Sequence, residues 1–182
     1  MSVRMQRFAA PWSGLTRAVT LVVIAVGVIV VGAALSEAEK ISPQDGGIRA
    51  AMVAAAMIVP VILLITVVFA PLGYTVDQTG IMINRMGPKV CVLDSEIAEI
   101  RRIGRRDLGL AIRVWGSGGF FGFFGRFWSR GLGHYRMYAT NGRELVCIRQ
   151  VDGSRIVLSP HPADVFVEAV ETARDRLGGH GG

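Results

Sequence analysis

Residues 50–76 read AAMVAAAMIVPVILLITVVFAPLGYTV, an uninterrupted run without a charged side chain. A helix of about 20 apolar residues crosses the roughly 30 Å hydrocarbon core of a bilayer, and the part from Ala50 to Ala70 is predicted to do so. Pro60 lies in the middle of this helix and is expected to kink it. Pro71, Leu72 and Gly73 then end the helix. One run therefore contains a membrane span and the start of the domain that follows.

A second uncharged run precedes the first. Residues 18–36 read AVTLVVIAVGVIVVGAALS, which is long enough for another span. The connection, SEAEKISPQDGGIR, is short and polar, so residues 18–71 are predicted to form an antiparallel transmembrane hairpin with spans at about 18–36 and 50–70. A cleaved signal peptide is the competing interpretation, because small residues between positions 33 and 38 fit a signal peptidase.

Basic residues are distributed unequally around the two spans. The connection offers only Lys40 and Arg49, against three acidic residues. The outer flanks carry Arg4, Arg7, Arg17, Arg85, Lys89, Arg101, Arg102, Arg105 and Arg106. The positive-inside rule then places both termini in the cytoplasm. We expect a multi-pass protein of the bacterial cell (inner or plasma) membrane, with residues 1–17 as a basic cytoplasmic N-terminus.

Composition agrees with a membrane location. Of the 182 residues 51% are hydrophobic, and the mean hydropathy of +0.44 is too high for a soluble chain of this size. The net charge is +6, but arginine far outnumbers lysine, as codon bias in a GC-rich genome would also produce. Only local clustering of arginine is therefore informative. Cys91 and Cys147 lie in apolar segments and are expected to be buried thiols.

The remaining residues, 72–177, are predicted to form a β-rich domain that begins at the lipid surface. Strands are predicted at Tyr74–Asp77, Gly80–Asn84, Val90–Leu93, Leu110–Trp115, His134–Thr140, Glu144–Gln150 and Ser154–Leu158. Asn141-Gly142 and Asp152-Gly153 indicate tight type I′ hairpins. Residues 94–103 fit either a strand or a helix. An amphipathic helix with proline at its start closes the domain, and residues 178–182 are expected to be a disordered tail.

The order of these elements resembles the membrane-bound bacterial pleckstrin-homology-like (PH-like) domain family. The resemblance covers nearly the whole chain, and its most specific part is the glycine and phenylalanine run at 119–125 leading to Leu132-Gly133-His134-Tyr135-Arg136-Met137-Tyr138-Ala139-Thr140. It implies an α+β membrane protein: a two-helix transmembrane hairpin, then a PH-like antiparallel β-sandwich or barrel with a C-terminal capping helix. Eukaryotic relatives often bind phosphoinositides through basic residues in the first strand pair. Here that turn carries Asp77, Gln78 and Thr79, so that site is not carried over.

The densest functional signal lies between Leu108 and Arg143, where arginines alternate with aromatic residues and no acidic residue occurs. The many glycines predict a loop rather than a regular strand. The candidate lipid- or partner-binding residues are Phe120, Phe121, Phe123, Phe124, Arg126, Phe127, Trp128 and Arg130. In one interpretation the loop dips into the bilayer interface and its arginines bind anionic lipid phosphates. In a second the aromatic rings are core or pack on the transmembrane helices, and in a third they bind a protein partner or a second copy.

No motif predicts catalysis. The three histidines are scattered, Ser117 lacks the leading glycine of a nucleophile elbow, and no phosphate-binding loop occurs. We expect no enzyme, no metal, no cofactor and no nucleic-acid partner. The predicted function is a membrane-anchored binding or scaffold module that contacts anionic lipid through the glycine- and aromatic-rich loop. The alternative is protein assembly or self-association through the same loop.

Overall fold

The structure is a computed structural model and describes residues 5–118 and 121–178. Its elements in chain order are β1 (Gln6–Ala9), α1 (Gly14–Lys40), α2 (Gly46–Phe69), β2 (Pro71–Asp77), β3 (Gly80–Arg85), β4 (Val90–Leu93), β5 (Ile97–Ile103), α3 (Arg105–Leu108), β6 (Ala111–Gly118), β7 (Phe123–Ser129), β8 (Gly133–Ala139), β9 (Leu145–Gln150), β10 (Arg155–Leu158) and α4 (Ala163–Gly178).

The two long helices pack against each other and little else. Only Thr16, Thr20, Gly27 and Ala38 are buried in α1, and only Ala56 in α2. Both helices are long and apolar enough to cross a membrane. Exposed aliphatic surface of this extent is unfavourable in water, so neither is the core helix of a soluble domain. The predicted helical hairpin is confirmed, with Pro60 inside α2.

The first sheet has four antiparallel strands in the order β1-β2-β3-β4. Strand β2 starts at Pro71, two residues after α2 ends at Phe69 and three residues before the predicted start at Tyr74. Strand β1 was not predicted: it pairs with β2 from Gln6 opposite Val76 to Ala9 opposite Gly73. Residues before the first helix therefore belong to the same sheet as residues after the second. Both ends of the helical hairpin consequently lie on the same side.

The second sheet has six strands in the order β5-β9-β10-β8-β7-β6, with β8 and β10 parallel and the other pairs antiparallel. The hairpin predicted at Asp152-Gly153 joins β9 to β10, although only Gly153 has a positive φ, so the turn is not type I′. The hairpin predicted at Asn141-Gly142 is wrong. Strand β10 lies between β8 and β9, and the Ser159 hydroxyl accepts hydrogen bonds from the backbone N–H groups of Thr140 and Asn141.

The central strands of the six-stranded sheet have buried side chains on both faces. One face packs against the first sheet and α4, and this first core includes Tyr74, Ile81, Ile148 and Phe166. The other face carries a second core. Its members are Ile103, Leu108, Phe127, Leu132, Tyr135, Met137, Ala139, Leu145, Cys147 and Val157. Strand β9 contributes alternate residues to the two cores, because side chains alternate between the faces of a strand.

Helix α4 covers the open end of the first core. Phe166 is fully buried, and its ring meets the rings of Phe8 and Tyr74 edge-on at centroid distances of 5.0 and 6.0 Å. Two long apolar helices, two sheets and a C-terminal capping helix match the predicted fold class. The exception to a purely antiparallel arrangement is the β8–β10 pair.

Candidate functional site

The glycine- and aromatic-rich stretch forms a β-hairpin from strands β6 and β7. Their register places Gly116 opposite Gly125, with φ values of +116° and +125°. A Cβ atom added at Gly125 would lie 2.2 Å from the Trp115 carbonyl oxygen. The prediction that glycines exclude a strand here is therefore wrong. The opposed glycines instead let two strand backbones approach each other closely.

The tip of this hairpin lies against helix α1. The backbone N–H of Phe121 donates to Thr20 Oγ1 at 3.2 Å, and the Phe121 ring meets the Trp12 ring edge-on at 5.5 Å. Thr20 lies six residues into α1, about 9 Å along the helix axis. The tip thus reaches the level of the predicted span at residues 18–36.

The structure separates the predicted aromatic residues by burial. Phe121 and Phe127 are 8% and 5% exposed, and Phe127 stacks on Tyr135 in the second core. The half-buried members are Phe123, Phe124 and Trp128. Phe120 lies outside the described residues. Packing against α1 and the core thus accounts for Phe121 and Phe127, whereas Phe124 and Trp128 lie on the opposite face of β7.

The two predicted arginines are exposed, and neither has an ion-pair partner within residues 5–118 and 121–178. Arg126 lies opposite Trp115 on β6 and opposite Arg136 on β8. Like charges at directly opposed positions destabilise a strand pair. The Arg136 guanidinium donates to Gln150 Oε1 at 3.2 Å, so Arg126 is the member of this pair for which the described residues provide no partner.

Strand β6 carries an exposed apolar surface that sequence reasoning missed. It is an edge strand of the six-stranded sheet. Its exposed side chains, and that of the residue before it, are Leu110 at 79%, Ile112 at 51%, Val114 at 56% and Trp115 at 76%. The sequence predicted a strand here, but edge position depends on strand order, which no local pattern reveals.

A groove of about 1110 Å³ lies between the start of α1 and the second-core face of β6, β7 and β8. Residues 12–15 of the α1 start, residues 141–143 and the α3–β6 segment form its walls. Phe123, Phe127, Tyr135 and Met137 contribute apolar lining from the sheet. Arg105, Arg113 and Arg143 also line it, and within the described residues no acidic side chain does.

Tyr135 is the polar residue of this lining with an unusual environment. Its side chain is 3% exposed, and no group in the described chain meets hydrogen-bond geometry at Tyr135 Oη. Burial raises the pKa of the Tyr135 phenol, and the nearby Ser129 side chain acts in the opposite direction. The phenol is therefore neutral at physiological pH and keeps its O–H donor.

The β2–β3 turn corresponds to the lipid-binding region of eukaryotic relatives and has a different character here. The Asp77 carboxylate accepts from the backbone N–H groups of Thr79 and Gly80 at 2.7 and 3.2 Å. It also accepts from the Thr79 hydroxyl. An acidic side chain that is already satisfied within its own turn does not attract a phosphate.

In the part of the chain that is described, the side chains able to bind a metal are dispersed. No group of three His, Cys, Asp or Glu residues able to hold a metal ion occurs there. Cys147 is buried, as predicted, and burial raises the pKa of its thiol. Cys91 is exposed, contrary to prediction, because it lies on strand β4 at the edge of the first sheet.

A small sheet sandwich closed by a C-terminal helix, following two apolar helices, is the architecture of a membrane-bound PH-like module. The family described as "Bacterial PH domain" matches residues 72–174, more than half of the chain. The chain belongs to this bacterial PH domain family, which confirms the resemblance inferred from its motifs. No curated protein and no solved structure matches the chain.

Proposed function

We propose that this protein is a membrane-anchored binding or scaffold module whose β6–β7 hairpin contacts anionic lipid. PH-like domains are in general binding modules without catalytic activity, and the two apolar helices provide the membrane anchor. The observation that carries the proposal is the hydrogen bond from Phe121 to Thr20, because it holds the hairpin tip beside the start of a span.

The proposed orientation has both termini in the cytoplasm of a bacterial cell, at its inner or plasma membrane. Pairing of β1 with β2 supports it, since this pairing brings both outer flanks of the helical hairpin to the side of the domain. Those flanks hold most of the basic residues near the helix ends. Basic flanks are retained on the cytoplasmic side.

The hairpin residues are expected to lie at different depths in the membrane interface, according to their distance along β7 from the hairpin tip. Arg126 follows Phe123 by three residues, or about 10 Å at the rise of a strand, and Trp115 is paired with it. The headgroup layer adds about 5–8 Å on each side of the hydrocarbon. Arg126 and Trp115 thus fall near the lipid phosphates, whereas Arg130 follows the far end of β7 at Ser129, which is about 20 Å from Phe123.

Trp115 fluorescence in the full chain tests this contact. In a Trp12→Phe, Trp128→Phe background, Trp115 is the remaining tryptophan. In nanodiscs containing phosphatidylglycerol, lipids brominated near the headgroup should quench its emission strongly. An Arg126→Glu change should reduce this quenching, because a basic residue at an anionic surface contributes about 1 kcal/mol.

The matched control is Arg130→Glu, which makes the same charge change at the distal end of the strand and should leave quenching nearly unchanged. Equal quenching in neutral and anionic nanodiscs, with no effect of Arg126→Glu, would contradict an anionic-lipid contact. Strong quenching by aqueous acrylamide instead would show that Trp115 lies in water.

Protein assembly remains the second candidate function, and the exposed edge strand β6 favours it. Unpaired backbone groups beside Leu110, Ile112 and Trp115 could pair with a strand of another chain. The register shift between Arg113 and Trp115 opposes a continuous ladder at this edge. Dissociation of detergent-solubilised oligomers by Ile112→Lys, seen in the sedimentation coefficient, would support assembly.

A further inference from the structure

The groove beside α1 combines an apolar surface with isolated positive charge. Leu108, Phe127 and Met137 line it and are each at most 6% exposed, as members of the second core. They form a firm floor, because core side chains are close-packed. Such a floor suits hydrocarbon rather than water.

Three arginines surround this floor and are free to bind an anion. Arg105, Arg113 and Arg143 are exposed, and none has an ion-pair partner in the described ranges. The nearby Asp107 carboxylate accepts a hydrogen bond from the Gly104 N–H at 2.6 Å and does not line the groove. Planar guanidinium groups bind phosphate through paired N–H donors.

The strand register places the Arg113 side chain on the same face of the sheet as the apolar groove lining. Arg113 on β6 lies directly opposite Phe127 on β7, and Phe127 lies opposite Tyr135 on β8. Residues directly opposite each other project to the same face of a sheet. Tyr135 adds a buried hydroxyl that has no hydrogen-bond partner among the described residues.

The position of the groove determines what can enter it. One wall of the groove consists of Trp12, Ser13, Gly14 and Leu15. This wall lies at the start of α1, a few residues before the predicted span. An amphiphile in the adjoining leaflet could reach the groove without crossing water. The volume of about 1110 Å³ slightly exceeds the roughly 300–1,000 Å³ of typical small-molecule sites, and is far larger than a free phosphate ion requires.

We propose that this groove binds one anionic phospholipid molecule, with the phosphate held by Arg105, Arg113 and Arg143 and part of an acyl chain on the Leu108, Phe127 and Met137 floor. The site rests on the same membrane placement of α1 as the proposed function but uses neither Trp115 nor Arg126. It can therefore be present even if Trp115 and Arg126 never touch the bilayer.

Native mass spectrometry of the full chain in detergent tests the site, with phosphatidylglycerol and phosphatidylcholine as probes. The wild-type chain should retain one phosphatidylglycerol molecule in a saturable manner and phosphatidylcholine much more weakly. An Arg105→Gln, Arg113→Gln, Arg143→Gln variant should lose affinity for phosphatidylglycerol by about 100-fold, at about 1 kcal/mol for each basic residue.

A charge-matched control distinguishes binding in this groove from nonspecific electrostatic attraction between the protein and anionic lipid. Lys89→Gln, Arg106→Gln, Arg130→Gln removes the same charge outside the groove lining and should leave retention of the one lipid unchanged. Equal losses in the two triple variants, or no loss in either, would overturn the proposal. Failure of the Trp115 quenching experiment with selective loss in the groove variant would reject the hairpin contact alone.

A steric variant removes the dependence on charge. Ala111 is exposed, lines the groove and lies opposite Ser129 on the second-core side of β6. Ala111→Phe should fill the groove and weaken phosphatidylglycerol retention about tenfold or more without changing net charge. Unchanged retention in this variant, or equal displacement by inorganic phosphate at the lipid's own concentration, would show that no acyl chain is bound.

Discussion

The β2–β3 and β6–β7 hairpins of this domain differ in the burial of their side chains and in their position in the sheets. Strand β3 has Ile81 and Ile83 fully buried, and its turn is closed by Asp77. On strand β6 the Ile112 and Trp115 side chains are exposed. The first hairpin is part of the core, whereas the second projects from the edge of a sheet.

The two turns also lie at different distances from the helices. Strand β2 begins at Pro71, next to α2, and Asp77 lies six residues, or about 20 Å, along the strand from that start. The β6–β7 tip contacts Thr20 of α1. The position used by phosphoinositide-binding relatives therefore lies farther from the helices than the β6–β7 tip does.

The largest expected contrast comes from equivalent truncations in the two hairpins. Ile81→Ala should lower the free energy of unfolding by about 2–5 kcal/mol, because it leaves a cavity in a closed core. Ile112→Ala should change it by less than about 0.5 kcal/mol, since the side chain is already in solvent. Denaturant titration of the full chain in mild detergent measures both. A large loss at Ile112 would mean that β6 is covered in the intact protein.

Backbone geometry provides the next contrast, within the β6–β7 hairpin. Gly125→Ala should cost about 2–3 kcal/mol, because alanine rarely adopts a φ of +125° and its Cβ would meet the Trp115 carbonyl. Gly142→Ala is the control, with nothing within 4 Å of its added Cβ. Amide hydrogen exchange across β6 and β7 should rise in the first variant alone. Unchanged exchange would argue against close approach of the two strands.

A buried hydroxyl tests how the β2 strand is held to the second sheet. Tyr74 donates to the Tyr138 carbonyl at 2.6 Å and accepts from the Ser159 N–H at 3.1 Å. Tyr74→Phe would leave both groups unpaired and should destabilise the fold by about 1–3 kcal/mol. Thermal unfolding in detergent at neutral pH would measure the loss.

The same residue predicts a pH dependence with a defined sign. Burial raises the pKa of Tyr74 from 10.0 to about 12, with the Ser159 hydrogen bonds acting in the opposite direction. The unfolded chain then releases the phenol proton at lower pH than the folded chain does. The contribution of Tyr74 to the free energy of unfolding is therefore fully present below pH 10 and decreases between pH 10 and about 12. The difference between wild type and Tyr74→Phe should shrink over that range, and a constant difference would contradict the shift.

The smallest effect concerns the β2–β3 turn. Asp77→Ala removes hydrogen bonds to Thr79 and Gly80 and should cost about 1 kcal/mol. Gln78→Ala, at an exposed position of the same turn, should cost less. Neither change should alter retention of phosphatidylglycerol by the full chain. A loss of lipid in the Asp77 variant would place the ligand at this turn and reverse the comparison of the hairpins.

Much of the fold could be predicted because its signals are local. Uncharged runs predicted both long helices, and apolar segments bounded by turn residues predicted β2, β3, β4, β6, β8, β9 and β10. Residues 94–103, left open between strand and helix, contain β5 from Ile97 to Ile103. Strand β1 escaped prediction, since its four residues become a strand only through pairing with β2.

The candidate site was predicted at the level of the segment rather than the residue. Composition pointed to residues 108–143, and the groove and hairpin both lie there, with α1. Side chains alternate between the two faces of β7, so Phe127 is buried in the second core while Phe124 and Trp128 lie on the other face. Sequence reasoning missed this alternation because the glycines argued against a strand. The exposed Trp115 and the groove arginine Arg105 depend on strand order and on the packing of α3, which are properties of the whole domain.

The sequence by itself determined what depends on neighbouring residues: two apolar helices long enough to cross a membrane, the capping helix from its apolar spacing, and the family from its motifs. The proposed spans and their proposed orientation follow from hydrophobic length and flanking charge. Only the tertiary structure decided what depends on distant pairing: the β1 strand, the parallel β8–β10 contact, the fit of the hairpin tip against Thr20, and the groove beside α1. The physical reason is that residue type sets local conformation and solvent preference, whereas neighbours in a sheet are chosen by the packing of the entire core.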